Sequence, residues 1–222
     1  MYEETINGFK KVLGENLVSA VKFGTEGQPN NLLFVLKRLD FDILEKIKPL
    51  VMECTKKNKV VPLFFTQEEL RDGSDVFPLE FLDIKNPHEV LYGDDLIKEI
   101  KFDKKHVRRQ LEFELRSKLI HLRENYIWIK KPRGLRELLK RTIPSTMPLF
   151  YGLLFLKDVE APTELDELLR VVAENYKVDV GVLRKIKKIN EVKAKDEELK
   201  VYVRELMAFL TELGDIVDEI KL

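Results

Sequence analysis

The chain has 222 residues, of which 44% are hydrophobic and 35% charged, and its formal net charge is zero. This apolar content excludes an intrinsically disordered chain, and every unbroken apolar run is too short to cross a bilayer. A single cysteine, Cys54, excludes an internal disulfide and a thiolate metal cluster. Because Cys54 lies in an amphipathic helical pattern, we expect it to be a buried structural thiol.

The charged residues also indicate a cellular location and a source. The segment from Met1 to Glu4 carries acid where a secretory signal carries base. We therefore expect a cytoplasmic protein without a membrane partner. Lys and Glu dominate the charged residues, whereas Gln occurs only at positions 28, 67 and 110. This bias is typical of proteins from hot environments, which predicts a thermophilic source.

The two signs of charge are concentrated in different parts of the chain. Residues 64–100 contain ten acids and three bases, whereas residues 101–141 contain fourteen bases and five acids. This asymmetry has two interpretations. It indicates either a basic surface for a phosphate-bearing partner or an acidic element that docks on a basic one.

The first half of the chain alternates between helical and strand patterns. Asp42 and Glu45 have the spacing of a helix cap and its returning acid, and Thr66 has the position of a second N-cap. In chain order the patterns predict a helix over 2–14, strands over 17–23 and 32–36, a helix over 42–57, a strand over 60–65, a short helix over 67–71, a strand over 79–84 and a helical turn over 87–92 that Gly93 closes.

The second half reads as helical throughout. Its longest pattern is a helix over 104–130, whose apolar residues step by three and four and which ends at Pro132. Further helices are predicted over 133–142, 145–157, 163–175, 179–188 and 196–220. The helix over 145–157 is apolar on all sides, which favours a bundle core over a subunit interface. We therefore predict an α+β protein with an α/β domain over 1–100 and a helical domain over 101–222.

Two blocks of the first half resemble a nucleotidyltransferase domain of the polymerase-beta type over residues 10–100. Residues 17–36 read as a strand, a glycine turn and a second apolar strand, and residues 76–93 are similar to a later strand followed by a Leu-Tyr-Gly turn. The resemblance implies a mixed sheet with flanking helices. It also implies a Gly-Ser turn that cradles nucleotide phosphates, and carboxylates that hold two metal ions.

The residues at the implied site depart from that pattern. Gly24 and Thr25 stand where the Gly-Ser pair would bind phosphate, and Pro29 and Asn31 stand where two acids would be. Glu80 matches the third acid. One carboxylate does not hold two divalent metals, so we expect a non-catalytic protein that has no cofactor. We expect it to serve as a nucleotide- or phosphate-binding module or as a structural module.

Two alternatives stay open. The first is an active nucleotidyltransferase that uses Thr25, Asn31, Glu80 and a displaced acid, with Mg²⁺ as its cofactor. The second is a protein-interaction scaffold that forms a homodimer through the helical half. Asp40 and Asp42 are expected to cap a helix rather than bind metal, and Glu80 and Asp83 on a strand would point to opposite faces.

A basic stripe marks the long helix of the second half. Arg109, Arg116, Arg123 and Lys130 recur every seven residues along one side. Such a stripe suits the phosphate backbone of RNA. The alternative is a solvated face whose cations form ion pairs, such as Glu112 with Arg116. His88, His106 and His121 are too widely spaced to share a metal.

Overall fold

The computed structural model describes residues 2–24, 30–189, 191 and 194–222. The fold is α+β, with a four-stranded mixed sheet flanked by helices and a C-terminal helical region. The chain divides into two compact units, Met1–Phe102 and Asp103–Leu222. Among the helices in these described ranges, none is both long enough and apolar enough to span a membrane.

The first unit contains the sheet. Its elements are α1 (Tyr2–Leu13), β1 (Leu17–Phe23), β2 (Asn30–Leu36), α2 (Phe41–Asn58), β3 (Val60–Thr66), α3 (Gln67–Asp72), α4 (Pro78–Lys85) and β4 (His88–Gly93). The strand order is β3-β2-β1-β4. β1 pairs antiparallel with both β2 and β4, and β2 pairs parallel with β3. The hairpin strands β1 and β2 therefore occupy the centre of the sheet.

Both faces of the sheet are covered, which explains the unbroken apolar run of β2. Alternate side chains such as Leu32 and Phe34 pack under α1 and α2, where Phe9 lies 4.3 Å from Phe34 between ring centroids. The intervening side chains, Leu33 and Val35, pack in a second core with residues of α3, α4 and the segment after β4. A strand buried on both faces has no need for alternating polar residues.

Two helix caps decide where helices begin in this unit. Asp40, and not Asp42, is the N-cap of α2, since its carboxylate accepts a hydrogen bond from Ile43 N–H at 2.9 Å. The predicted cap at Asp42 with Glu45 is wrong by two residues, although the expectation that Asp40 serves as a cap is confirmed. Thr66 and Glu69 form the predicted capping box of α3.

The region from 78 to 93 differs from the prediction. The predicted strand over 79–84 is helix α4, and the predicted helical turn over 87–92 is strand β4. Pro78 at the first helical position favours a helix, and the helix buries apolar side chains on the second core. β4 is a strand because it pairs with β1, from Phe23 opposite His88 to Ser19 opposite Gly93. The buried Ser19 hydroxyl, 2.7 Å from the Asp94 carbonyl oxygen, fixes the end of this pairing.

The second unit is helical in its described residues. Its helices are α5 (Lys104–Trp128), α6 (Pro132–Lys140), α7 (Thr142–Leu156), α8 (Leu165–Tyr176), α9 (Gly181–Lys187) and α10 (Asp196–Asp218). α7 is buried on nearly all sides, which confirms its predicted place in the core. The Tyr176 hydroxyl donates a hydrogen bond to the Leu153 carbonyl oxygen of α7 at 2.6 Å.

Arg108 joins the two long helices of this unit. Its guanidinium donates to the carbonyl oxygens of Val217 and Asp218, at 3.1 and 2.6 Å. These carbonyls belong to the last turn of α10, where backbone acceptors lack partners within the helix. Arg108 therefore both caps α10 and holds α5 against it.

The lone cysteine has the expected structural role. Cys54 is buried in the first core, and its thiol lies 3.2 Å from the Val51 carbonyl oxygen. Burial raises the pKa of the Cys54 thiol, with hydrogen bonds from Thr55 opposing the shift. A thiol in this state is a poor nucleophile.

Candidate functional site

The nucleotide-phosphate site predicted from the sequence lies at the end of β1. Phe23 pairs with Asn31 of β2 and with His88 of β4, so three strands meet there. Gly24 follows with a φ of +99°, a conformation that favours glycine. Its N–H donates to the Pro87 carbonyl oxygen at 3.2 Å. The predicted phosphate ligand Thr25 and the substituted position Pro29 lie outside the described residues.

Asn31 lies between the neighbouring strands at this end of the sheet. It pairs with Phe23 on one side and with Val61 on the other. Strand alternation puts it on the same face as Leu33 and Val35, the face that α3 and α4 cover. Its half-buried amide is a neutral ligand and a weak substitute for a carboxylate at a metal site.

Glu80 lies on a helix and not on the predicted strand. It is exposed in the first turn of α4, and Asp83 follows three residues later. The expectation that these two acids point to opposite faces is wrong, because residues three apart are neighbours on a helix. The structure therefore brings the two acids close to one another rather than separating them.

Asp83 is the most perturbed acid of the first unit. One carboxyl oxygen is buried and has no hydrogen-bond partner in the part of the chain that the structure describes. Burial, and then the negative charge of Glu80, raise the pKa of Asp83 to about 7. The last turn of α4 leads to Pro87, whose carbonyl oxygen accepts the hydrogen bond from Gly24 N–H. The sequence predicted Asp83 only as a strand acid that points away from Glu80, because burial, and not spacing, distinguishes it.

His88 connects β4 to the loop that follows it. Its Nδ1 lies 2.8 Å from the Lys85 carbonyl oxygen and its Nε2 lies 3.1 Å from an Asp95 carboxylate oxygen. The ring therefore contacts both the end of α4 and the segment that follows β4. Burial alone would raise the pKa of Asp95, but hydrogen bonds from Lys98 N–H and from His88 lower it below the usual value. These hydrogen bonds hold the start of β4 against the segment that contains Asp95.

The four described strands supply almost no carboxylate for a metal. Their one acid is Glu89 of β4, which forms an ion pair with Lys22 of β1 at 3.6 Å. The described ranges contain no group of three or more His, Cys, Asp or Glu side chains arranged to hold a metal ion. Two divalent ions would need more oxygen ligands than the sheet presents.

The predicted basic stripe is only partly available. Arg116 is paired with Glu112 at 3.3 Å and with Asp218 at 3.7 Å, so the alternative of an ion-paired face holds at this position. Arg109, Arg123 and Lys130 have no hydrogen bond or ion pair with any other described residue. Arg109 and Arg123 on α5, and Lys130 just after its last residue, are thus exposed and have no side-chain partner among the described residues.

Other cations of the same region have structural tasks. The Arg136 guanidinium donates to the carbonyl oxygens of Ile189 and Ala194, and Lys140 pairs with Glu137 at 2.8 Å. His121 contacts Glu124 on α5. The number of cations free to contact a phosphate backbone is therefore smaller than the sequence count of this region suggests.

An apolar stripe on α5 is a further surface that sequence reasoning did not identify. Phe113, Ile120 and Ile127 are 67%, 52% and 77% exposed, and Trp128 is 80% exposed. The signal was present in the sequence as a seven-residue spacing, but the buried residues of the same helix dominated its pattern. Large exposed apolar side chains grouped on one face indicate a contact surface.

Comparison with known proteins adds no assignment. No protein-family model matches the chain, and no curated protein matches it. The likeness to nucleotidyltransferases therefore depends on the residues of this chain alone.

Proposed function

We propose that this protein is a non-catalytic, nucleotidyltransferase-like protein that acts as a structural module and uses its helical unit for protein contacts. The observation that carries the proposal is the acid content of the sheet. The strands present Glu89 alone, and Lys22 neutralises it. A reaction that requires two divalent metals needs several carboxylates at one point.

The acids on α4 do not repair this deficit. Glu80 is exposed on the helix surface, and Asp83 has a pKa of about 7, so a large fraction of it is protonated at neutral pH. A protonated carboxyl is a poor ligand for a hard cation. These two acids support a structural interpretation better than the alternative of an active site with a displaced acid.

Phosphate binding at the end of β1 is a second candidate function. The left-handed φ of Gly24 favours it, because such glycine turns direct backbone N–H groups toward anions. The Gly24 N–H itself is bonded to Pro87. A phosphate would therefore depend on the N–H groups that follow, beginning with Thr25.

Labelled nucleotides provide the test of the main proposal. The full chain is incubated with each of the four labelled nucleoside triphosphates, Mg²⁺ or Mn²⁺, and hydroxyl acceptors of protein and RNA type. We expect no transfer of label, both for the natural chain and for Glu80→Ala. Transfer that Glu80→Ala or Asp83→Ala abolishes would overturn the proposal and establish the active alternative.

Calorimetric titration separates the second candidate. Binding of ATP without transfer, weakened at least tenfold in Thr25→Val, supports a phosphate site at the turn. Arg71→Met is the matched control, because this exposed side chain pairs with Asp72 and with no other residue that the structure describes. Heat signals that are flat for ATP, GTP and inorganic phosphate exclude the phosphate function and leave the structural one.

A further inference from the structure

The apolar stripe on α5, formed by Phe113, Ile120 and Ile127, lies opposite the buried face of that helix. The buried face consists of Val107, Leu111, Leu115 and Leu122. At about 100° per residue, Ile120 points roughly 160° away from Leu122 and 180° away from Leu111. The stripe is therefore a ridge that a second helix can approach without displacing any helix of the bundle.

The stripe has two different flanks. Arg116 and Arg123 lie three residues after Phe113 and Ile120, on one side of the ridge. Glu124 lies four residues after Ile120, on the other side, and is the acid of that flank; its exposed carboxylate also contacts His121 at 3.1 Å. Because the apolar residues and the cations share a spacing of seven, the ridge and its basic flank follow the left-handed path of a coiled-coil partner.

We propose that α5 pairs with the α5 helix of a second copy of this chain, parallel and in register. This inference rests on the proposed structural role of the helical unit. In a parallel pair related by a two-fold axis along the helices, the basic flank of one helix faces the acidic flank of the other. Arg123 then meets the partner's Glu124, and symmetry forms this pair twice.

An antiparallel pair is the arrangement that the charges oppose. Its two-fold axis is perpendicular to the helices. The basic flank of one helix then faces the basic flank of the other, and the acidic flank faces the acidic flank. Arg116 would then face the partner's Arg123, and like charges placed opposite one another are destabilising. The charge pattern of α5 thus selects one direction of pairing.

Arg123 is the cation that this pairing engages. It is exposed on α5, and its side chain has no hydrogen bond or ion pair with any described residue. The pairing therefore uses both the apolar ridge and an unpartnered cation of the stripe.

Analytical ultracentrifugation of the full chain measures the pairing directly. We expect a species of twice the 26.1 kDa chain mass that dissociates on dilution. Ile120→Lys is expected to raise the dissociation constant at least tenfold. Met52→Lys on α2, at a side chain that is 66% exposed, is the matched control and is expected to leave it unchanged. A chain that stays monomeric at all concentrations would overturn the proposal.

Cysteine cross-linking tests the direction. In a parallel pair the cysteine of Ile127→Cys lies opposite the same cysteine of the partner, and mild oxidation gives a covalent dimer. The same result is expected for Phe113→Cys. In an antiparallel pair centred on Ile120, neither variant cross-links alone, but a mixture of the two does. The natural Cys54 is 4% exposed and serves as the unreactive background. A dimer that cross-links only in the mixture contradicts the parallel arrangement.

Charge reversal tests the flanks. Arg123→Glu places two acids opposite each other and is expected to weaken the dimer roughly tenfold, while Arg123→Glu with Glu124→Arg restores it. A dimer that survives Ile120→Lys and Arg123→Glu would refute α5 pairing. That result would leave the non-catalytic assignment standing, since only nucleotide transfer contradicts the latter.

Discussion

Asp83 lies one helical turn after Glu80 on α4, and the charge of Glu80 adds to burial in holding the pKa of Asp83 near 7. The shift has a consequence for stability. The folded chain retains a proton on Asp83 over the range from about pH 4 to pH 7, in which the unfolded chain has lost it.

Stability of the natural chain is therefore expected to fall as pH rises through this window, because the unfolded state binds fewer protons. Asp83→Asn removes the effect. We expect the variant to be more stable than the natural chain at pH 8, by as much as roughly 4 kcal/mol, and similar to it at pH 4. Urea unfolding at the two pH values measures the difference. Parallel stability curves for the two proteins would contradict a raised pKa.

Lys85 is expected to stabilise the segment that follows β4. Its ammonium donates to the carbonyl oxygens of Lys98 and Ile100, at 3.1 and 2.8 Å. Partial burial lowers the pKa of Lys85, so the group tolerates its position only with these acceptors. Lys85→Met is expected to cost about 1–3 kcal/mol of unfolding free energy. The exposed Lys98 supplies the control, since Lys98→Met should change stability by less than about 0.5 kcal/mol.

Gly93 and Gly14 form a matched pair for a glycine test. Both have positive φ, +76° and +54°, but a side chain at Gly93 would lie 2.0 Å from the Val18 carbonyl oxygen, whereas one at Gly14 meets open space. Gly14→Ala is expected to cost about 1 kcal/mol from backbone strain alone. Gly93→Ala must also separate β4 from β1, and we expect a loss above about 3 kcal/mol. Equal thermal midpoints for the two variants would refute this difference.

Arg108 and Arg109 are neighbours on α5, and comparing them distinguishes a cation with a structural role from a solvated one. Arg108 caps α10, whereas Arg109 has no partner among the residues described. Arg108→Met is expected to destabilise the helical unit by about 1–3 kcal/mol, because carbonyls at the end of α10 lose charged donors. Arg109→Met should leave the unfolding midpoint in guanidinium unchanged. If Arg109→Met destabilised the protein more than Arg108→Met, the stabilising role assigned to the Arg108 contacts with Val217 and Asp218 would be contradicted.

The helices of the second unit could be predicted because each carries its own periodic signal. The long helix over 104–130 and observed α5 agree within two residues, since Asp103 and Pro132 delimit it. The continuous apolar run of β2 likewise predicted a strand over 32–36, which lies within the observed Asn30–Leu36. In these segments the local pattern and the tertiary environment favour the same structure.

The exchange of helix and strand between 78 and 93 has a tertiary cause. A short apolar run such as 79–84 fits either structure by periodicity, and the helix start at Pro78 was the decisive local signal. β4 is a strand because β1 offers it a free edge, and that edge lies far away in sequence. The burial of Asp83 depends on the same long-range packing, so no spacing rule could have identified it.

The position of β1 between β2 and β4 determines which fragments of this chain can stay in solution. β1 pairs with β2, the next strand along the chain, but its other edge pairs only when residues 88–93 have been added. A fragment that stops before His88 leaves that edge with bare N–H and C=O groups beside an apolar core, which is a template for intermolecular strand addition. A nascent chain passes through the same state during synthesis. Between the emergence of β1 and that of β4, the nascent chain therefore exposes one unpaired edge of a central strand.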